Sequence, residues 1–225
     1  MNKLFAIIAV ALASVSANAQ DVWEMPEENN TPQTIQQDSV ATKKQVKTTA
    51  PDPDEKYLKG AVTEVDGRVA WSFHVDLPGK EAQQVYDATY KALSEFTKQE
   101  GMLKGSRVAL INKKEHIVVA LVKEWLVFNK SFITLDRAKY NYTLIARCAD
   151  GGVDISLERI FFNYDENNGK GEQKIAAEEA INDANALFVK QNRLVPGWAR
   201  FRRKAIDRKD EVFGLLSKAI IEKAK

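Results

Sequence analysis

The residues that come nearest to a catalytic pattern are Ser72, His74 and Asp76, which alternate along a strand-like segment. A serine, a histidine and an acid within hydrogen-bond reach of one another could carry out nucleophilic hydrolysis. Residues two apart on a strand, however, are separated by about 6.5–7 Å along it, which is too far for a direct proton relay. We therefore interpret them as a solvated strand face and predict no catalytic residue.

Metal-binding and phosphate-binding patterns are incomplete. His116, one of two histidines in the chain, lies beside lysines at a predicted turn. The polar segment 165–169 has oxygen ligands that suit calcium, but it lacks the closing glutamate of a calcium loop. Gly169-Lys170-Gly171 lacks the preceding glycine and the following hydroxyl of a phosphate-binding loop. No metal ion or cofactor is therefore expected.

The densest positive charge lies near the C-terminus, in a segment with helical spacing. Two interpretations of its arginines remain open. They form either a solvated helix face balanced by nearby acids or a contact with anionic lipid headgroups, envelope polysaccharide or an acidic partner. The arginines assigned to this candidate interaction surface are Arg200, Arg202 and Arg203.

The elements that position these side chains centre on the stretch 138–164, which is typical of one long antiparallel hairpin. Asp150-Gly151 supplies two residues suited to positive φ, as a tight two-residue turn requires. Pairing the strands across this turn places Arg147 opposite Asp154, an opposite-charge pair that supports the register. Cys148 then points inward, and we interpret it as a small buried hydrophobic residue rather than a reactive thiol.

The same pairing predicts an apolar cluster on the otherwise polar face of this hairpin. Ile160 lies against Asn141 and Phe162 against Lys139, with Ile145 further along. Either a late helix covers this cluster, or it receives a partner or the segment around Trp23. The candidate interaction surface therefore also includes Ile145, Ile160, Phe162, Lys139 and Trp23.

The remaining pattern predicts an α+β fold. Two strands joined at Asp66-Gly67 precede a helix over 81–99, and strands over 107–111 and 116–128 precede the central hairpin. Helices over 174–190 and 198–224 follow. Strands that are segregated from helices favour an antiparallel sheet with the helices packed on one face.

Several of these residues resemble a known family. They are Tyr57-Leu58-Lys59-Gly60-Ala61-Val62, Val65-Asp66-Gly67-Arg68-Val69, Pro78-Gly79-Lys80 and Lys139-Tyr140-Asn141-Tyr142. They are similar to an uncharacterised family of exported Bacteroidetes domains of unknown function with a fold like the TATA-binding protein (TBP). The resemblance covers about 57–164 and implies fold and export, but no catalytic residue and no DNA binding.

The N-terminus is typical of an exported protein. Residues 1–19 have the pattern of a signal peptide that ends at Ala17-Asn18-Ala19, so the mature chain is expected in the periplasm or outside the cell. Residues 20–56 are predicted to form a disordered linker, 57–164 the TBP-like domain and 165–225 a C-terminal helical extension. Asp38-Ser39-Val40 resembles a bacterial O-glycosylation site at Ser39.

Composition narrows the function classes. The 225-residue chain has a formal net charge of +2, which argues against a dedicated nucleic-acid binder. The apolar part of the leader is too short to span a membrane comfortably. We expect a non-enzymatic, exported binding module of the cell envelope whose partner is a protein, a glycan or a lipid headgroup. The alternative is an envelope or extracellular hydrolase with an unrecognised site.

Overall fold

The computed structural model describes residues 54–130, 135–165, 171–188, 190 and 192–225. In chain order the elements are a 3-10 turn at Glu55–Tyr57, β1 (Glu64–Val65), β2 (Arg68–Val69), β3 (Trp71–Asp76), α1 (Ala82–Phe96), β4 (Arg107–Asn112), β5 (Ile117–Lys130), β6 (Leu135–Ala149), β7 (Gly152–Tyr164), β8 (Gln173–Ala176), α2 (Ala177–Ala180), α3 (Asp183–Ala186), β9 (Leu187–Phe188), β10 (Arg193–Leu194) and α4 (Pro196–Lys223).

A six-stranded antiparallel sheet forms the centre of the fold, with the order β3-β7-β6-β5-β4 and with β8 also paired to β7. β3 pairs with β7 from Gly152 to Leu157, whereas β8 pairs with it from Phe161 to Tyr164. Residues 158–160 of β7 therefore lie between the two outer partners. β1–β2 and β9–β10 form separate two-stranded hairpins.

The two long helices pack on one face of the sheet, which confirms the predicted α+β arrangement. α1 contacts β5, β6, β7 and α4, and α4 also contacts β3 and β5. Phe201 of α4 lies at the centre of an aromatic cluster in this core, with ring centroids 4.6 Å from Phe128, 5.1 Å from Phe162 and 5.4 Å from Tyr164. The opposite face of the sheet, called the open face below, carries neither long helix.

The central hairpin has the predicted register near its turn. Arg147 pairs with Asp154 and Leu144 with Leu157. Gly151 has φ +81°, but Asp150 has no positive φ, so the expectation of two such residues is wrong. Asp150 instead accepts a hydrogen bond from the Ala82 N–H at 2.7 Å, which connects the turn to the start of α1.

Further from the turn the predicted register is wrong by one residue, because β7 contains a bulge. Asn141 pairs with Phe161 rather than Ile160, and Arg159 adopts φ +56°. An extra residue in a strand reverses the faces of every side chain after it. Ile160 and Phe162 consequently turn into the core, where they are 3% and 0% exposed.

Two other predicted elements differ. The segment over 174–190 is not one helix, because its start forms β8 on the edge of β7 and Asn182 then caps a new short helix by accepting the Asn185 N–H. The last helix, α4, begins at Pro196 rather than at residue 198, because the fixed φ of proline suits the first position of a helix. In the β4–β5 hairpin, Leu110 pairs with Val119, and a bulge in β4 shifts the register between Val108 and Leu110.

Candidate functional site

The open face has three zones, which follow from the strand register. Near the β6–β7 turn, His74, Asp154 and Arg147 form a charged row across three strands. The middle is mostly aliphatic, and a basic and aromatic zone lies at the far end of β6. The aliphatic side chains of the middle zone are Leu110, Ile117, Val119, Leu121 and Ile145.

A cavity of about 1020 Å³ lies where the β1–β2 hairpin meets this face, and we call it the hairpin cleft. Asp66 and Gly67 both have positive φ, 51° and 71°, so the predicted Asp-Gly turn closes the hairpin that forms one wall. The floor comes from β3, β6 and β7. The lining residues are Thr63, Val65, Asp66, Arg68, Ala70, Trp71, Ser72, Arg147, Ser156, Glu158 and Arg159.

Three arginines line the hairpin cleft, and each of them is exposed: Arg68, Arg147 and Arg159. Within the described part of the chain, none of the three forms an ion pair. The expected Arg147–Asp154 register pair exists, but Asp154 bonds to His74 instead. Of the two acids in the cleft, Glu158 accepts a hydrogen bond from the Ser156 hydroxyl at 2.7 Å. The cleft therefore offers guanidinium groups to an anion.

The bulge that flips the core residues also sets the position of Arg159. A positive φ is unfavourable for a residue with a Cβ, and such strained positions concentrate at functional sites. Arg159 lies in the stretch of β7 between β3 and β8, so the bulge directs a cation to the edge of the hairpin cleft.

His74 has a different environment from the one that a catalytic triad needs. Its Nδ1 lies 2.8 Å from Asp154 Oδ1 and its Nε2 lies 3.4 Å from Asp76 Oδ1. The side chains of His74 and Asp76 thus reach each other despite the spacing of their backbones, and Ser72, His74 and Asp76 are all exposed, as expected of a solvated strand face. Since both ring nitrogens face carboxylates, neither is left to accept a proton from Ser72. The hydrogen bond to Asp154 raises the pKa of His74.

A second cavity, of about 410 Å³, lies at the basic end of the open face, and we call it the Trp125 shelf. The Arg137 guanidinium lies 3.7 Å from the centre of the Trp125 ring, and Lys139 Nζ lies 5.9 Å from it. Lys139 also pairs with Glu172 at 2.7 Å. The lining residues are Leu103, Lys104, Lys123, Trp125, Lys139, Asn141, Asn163 and Glu172.

Comparison with known proteins agrees with this architecture. The family model for the domain of unknown function DUF4468 with TBP-like fold matches residues 71–163. A DUF4468 family protein of known crystal structure from Bacteroides ovatus is 35% identical, with 75% of this chain and 95% of that chain covered and a TM-score of 0.69. This chain belongs to the DUF4468 family.

A TBP-like protein from Parabacteroides distasonis shares the fold, with 19% identity, 70% of this chain and 96% of that chain covered, and a TM-score of 0.57. No curated protein matches the sequence.

In this DUF4468 protein the predicted contact arginines of α4 form hydrogen bonds and ion pairs with other residues of the same chain. Arg202 is 0% exposed and donates to the backbone oxygens of Tyr57, Leu58 and Ile181 and to Asp183. Arg203 makes a two-pronged contact with Asp54, at 2.7 and 2.5 Å, and Arg200 pairs with Asp136 at 2.9 Å. The prediction of an interaction surface is therefore wrong for Arg202, and Arg200 and Arg203 are occupied by internal partners.

The other predicted contact residues divide between core and open face. Ile160 and Phe162 are core residues, so their assignment to a partner surface is wrong, for the register reason given above. Ile145 lies on the open face but is only 9% exposed, and Lys139 lines the Trp125 shelf. Trp23, Ser39 and the predicted signal peptide lie outside the described residues. The predicted linker ends earlier than expected, because Asp54 and Glu55 already belong to the packed structure.

The only thiol of the chain belongs to Cys148. Cys148 is buried, as predicted, and burial raises the pKa of its thiol to about 11. The described ranges contain no cluster of three metal-ligating side chains, but most of the polar loop 165–169 falls outside them. Among the described helices, none combines the length and the apolar character of a membrane span.

The residues of the hairpin cleft and the Trp125 shelf were not predicted as sites, apart from Lys139. Arg68, Arg147 and Arg159 come from three different strands, β2, β6 and β7, and nothing in their local sequence marks them as a group. The only local signal was the Asp66-Gly67 turn, which predicts the hairpin but not the face that the hairpin borders.

Proposed function

We propose that this protein is an exported binding module of the cell envelope that holds an anionic group of its ligand in the hairpin cleft. The observation that supports this proposal is the difference between the arginines of α4 and the arginines that line the hairpin cleft. Arg200, Arg202 and Arg203 of α4 each have an acidic partner within the chain. The arginines that line the hairpin cleft have none in the described part of the chain.

The chemistry of the cleft favours a carboxylate, sulfate or phosphate group. Guanidinium groups bind such anions through paired N–H donors, and they are more weakly hydrated than ammonium groups. The hydroxyls of Ser72 and Ser156 add neutral hydrogen-bonding groups beside the cations. These groups suit an acidic sugar better than a bare inorganic ion, because a sugar presents hydroxyls next to its charge.

Binding without catalysis is part of the proposal. The histidine nearest the cleft has both ring nitrogens directed at carboxylates. The alternative of an envelope hydrolase therefore has no supporting arrangement of serine and histidine in this region. Export is supported by the leader pattern of residues 1–19 and also by the resemblance to a family of exported domains.

The proposal is tested by calorimetric titration of the mature chain with galacturonate, with uncharged galactose as the matched ligand. We expect saturable binding of galacturonate only. An exposed ion pair contributes up to about 1 kcal/mol, so the double variant Arg147→Gln/Arg159→Gln should weaken binding by about thirtyfold.

Lys91→Gln, which removes one charge from the exposed side of α1, is the control and should leave the affinity unchanged. Equal affinity of the double variant and the unchanged protein would refute the assignment of the cleft. Release of a cleaved product when the unchanged protein is incubated with oligogalacturonide would favour the hydrolase.

A further inference from the structure

We propose that the ligand is an acidic polysaccharide that lies along the open face and contacts both the hairpin cleft and the Trp125 shelf. This inference rests on the proposed function and extends it from one anionic group to a chain of them. Its starting point is that two separate cavities on one face both carry cations.

The Trp125 shelf concentrates positive charge in a protein whose net charge is only +2. Lys139 pairs with Glu172, but Lys104, Lys123 and Arg137 have no ion pair with any other described residue. Beside the shelf, the Arg137 guanidinium lies 3.7 Å from the centre of the Trp125 ring and Lys174 Nζ lies 4.2 Å from the centre of the Phe161 ring. Stacking of this kind holds a cation in place before a ligand arrives and so reduces the entropy lost on binding.

The strand register places the two cavities on the same face. Arg147 and Lys139 are eight residues apart on β6, and their pairing with Ile117 and Trp125 of β5 is continuous. An even separation without a bulge keeps both side chains on one side of the sheet. At about 3.3 Å per residue the two positions are about 26 Å apart. One small anion cannot contact both of them, whereas a chain with repeated charges can.

The surface between the cavities suits a sugar chain. Along β6 this surface is uncharged and closely packed, because Ile145, Thr143 and Asn141 are only 9%, 4% and 6% exposed. Leu121 and Val119 on β5 add half-buried aliphatic surface beside them. Pyranose rings have apolar faces, so the half-buried aliphatic side chains of β5 offer them a contact surface without a competing charge.

An anionic membrane surface fits less well. The β1–β2 hairpin forms a wall of the hairpin cleft, so a flat bilayer that touched the lysines of the shelf could not enter the cleft at the same time. A flexible polysaccharide can follow both. Binding to an anionic membrane is therefore the alternative that the test distinguishes from binding to a polysaccharide.

The test compares digalacturonate with long polygalacturonate by calorimetry, using full-length mature protein. The cleft variant is Arg147→Gln/Arg159→Gln, the shelf variant is Lys104→Gln/Lys123→Gln, and Lys91→Gln is the control. Loss of two exposed ion pairs predicts up to about thirtyfold weaker binding of the polymer by the shelf variant, as for the cleft variant, with binding of the disaccharide unchanged. The cleft variant should weaken binding of both ligands. Thermal melts confirm that each variant remains folded.

The outcomes separate the two proposals. If the cleft variant weakens both ligands while the shelf variant binds polymer normally, the cleft function stands and the extended site is refuted. If the cleft variant binds both ligands normally, the proposed function itself is refuted. Binding to phosphatidylglycerol vesicles with no binding to polygalacturonate would overturn the polysaccharide assignment in favour of a membrane surface.

Discussion

Replacing Arg202 by methionine should destabilise the folded domain strongly. The side chain is 0% exposed, and it joins α4 to the turn after Glu55–Tyr57 and to the α2–α3 segment through Tyr57, Leu58, Ile181 and Asp183. Methionine fills a similar volume but donates no hydrogen bond. Three carbonyl oxygens and one carboxylate would therefore lose their shared donor at once.

The expected magnitude follows from the cost of breaking a buried charged contact, about 3–5 kcal/mol when one partner is removed. Asp183 is 32% exposed at its side chain, so water can compensate it in part, and the lower half of that range is expected. For a domain of this size, about 2–4 °C is lost per kcal/mol, so the melting temperature should fall by about 10 °C.

The assay is thermal and urea unfolding followed by circular dichroism, with amide hydrogen exchange to locate the effect. Exchange should accelerate first around Tyr57 and Ile181, because these segments lose their anchor. Lys204→Met, an exposed position on the same helix, is the matched control and should change stability little. An Arg202→Met variant with the melting temperature and exchange of the unchanged protein would refute the reasoning, and would reopen the interpretation of Arg202 as a contact residue.

Three further predictions concern the turn, the histidine and the leader. Gly152→Ala should cost about 1–3 kcal/mol, because a Cβ there would lie 2.7 Å from the Val75 oxygen and 2.6 Å from His74 Nε2; an unchanged urea midpoint would contradict it. The raised pKa of His74 means that its contribution to stability is full below the unfolded pKa of about 6.5 and is lost as pH rises through the folded value. His74→Gln should therefore destabilise more at low than at high pH, and an equal effect at both would count against the Asp154 contact. The mature protein should begin at Gln20; N-terminal sequencing that starts upstream of Ala17 would refute the leader assignment.

The arginines of α4 and those of the hairpin cleft show how the fold redistributes charge that is clustered or scattered in the sequence. Those on α4 form the densest run in the sequence, yet their partners Asp136, Asp183 and Asp54 lie 64, 19 and 149 residues away and neutralise them. The arginines of the hairpin cleft are scattered in the sequence and meet only in the fold. Charge density along a chain therefore does not measure charge density on a surface, because the fold decides which opposite charges come together.

What the sequence determined by itself is local. The Asp66-Gly67 turn, the register of β6 and β7 near Gly151, the α1 helix and the inward position of Cys148 all depend on side-chain alternation, helical spacing or turn residues within a few positions. Such patterns can be recognised in the sequence because residues that share a buried face recur at the spacing of a strand or a helix.

Only the tertiary structure decided the rest. No glycine in the sequence marks the bulge at Arg159, yet the bulge moves Ile160 and Phe162 into the core, where Phe162 packs against Phe201. The segment Gln173–Ala176 becomes β8 because the edge of β7 offers it unpaired backbone groups, which the pattern of its own sequence cannot reveal. Both outcomes are decided by hydrogen bonds and packing between residues distant in sequence, and the hairpin cleft exists for the same reason.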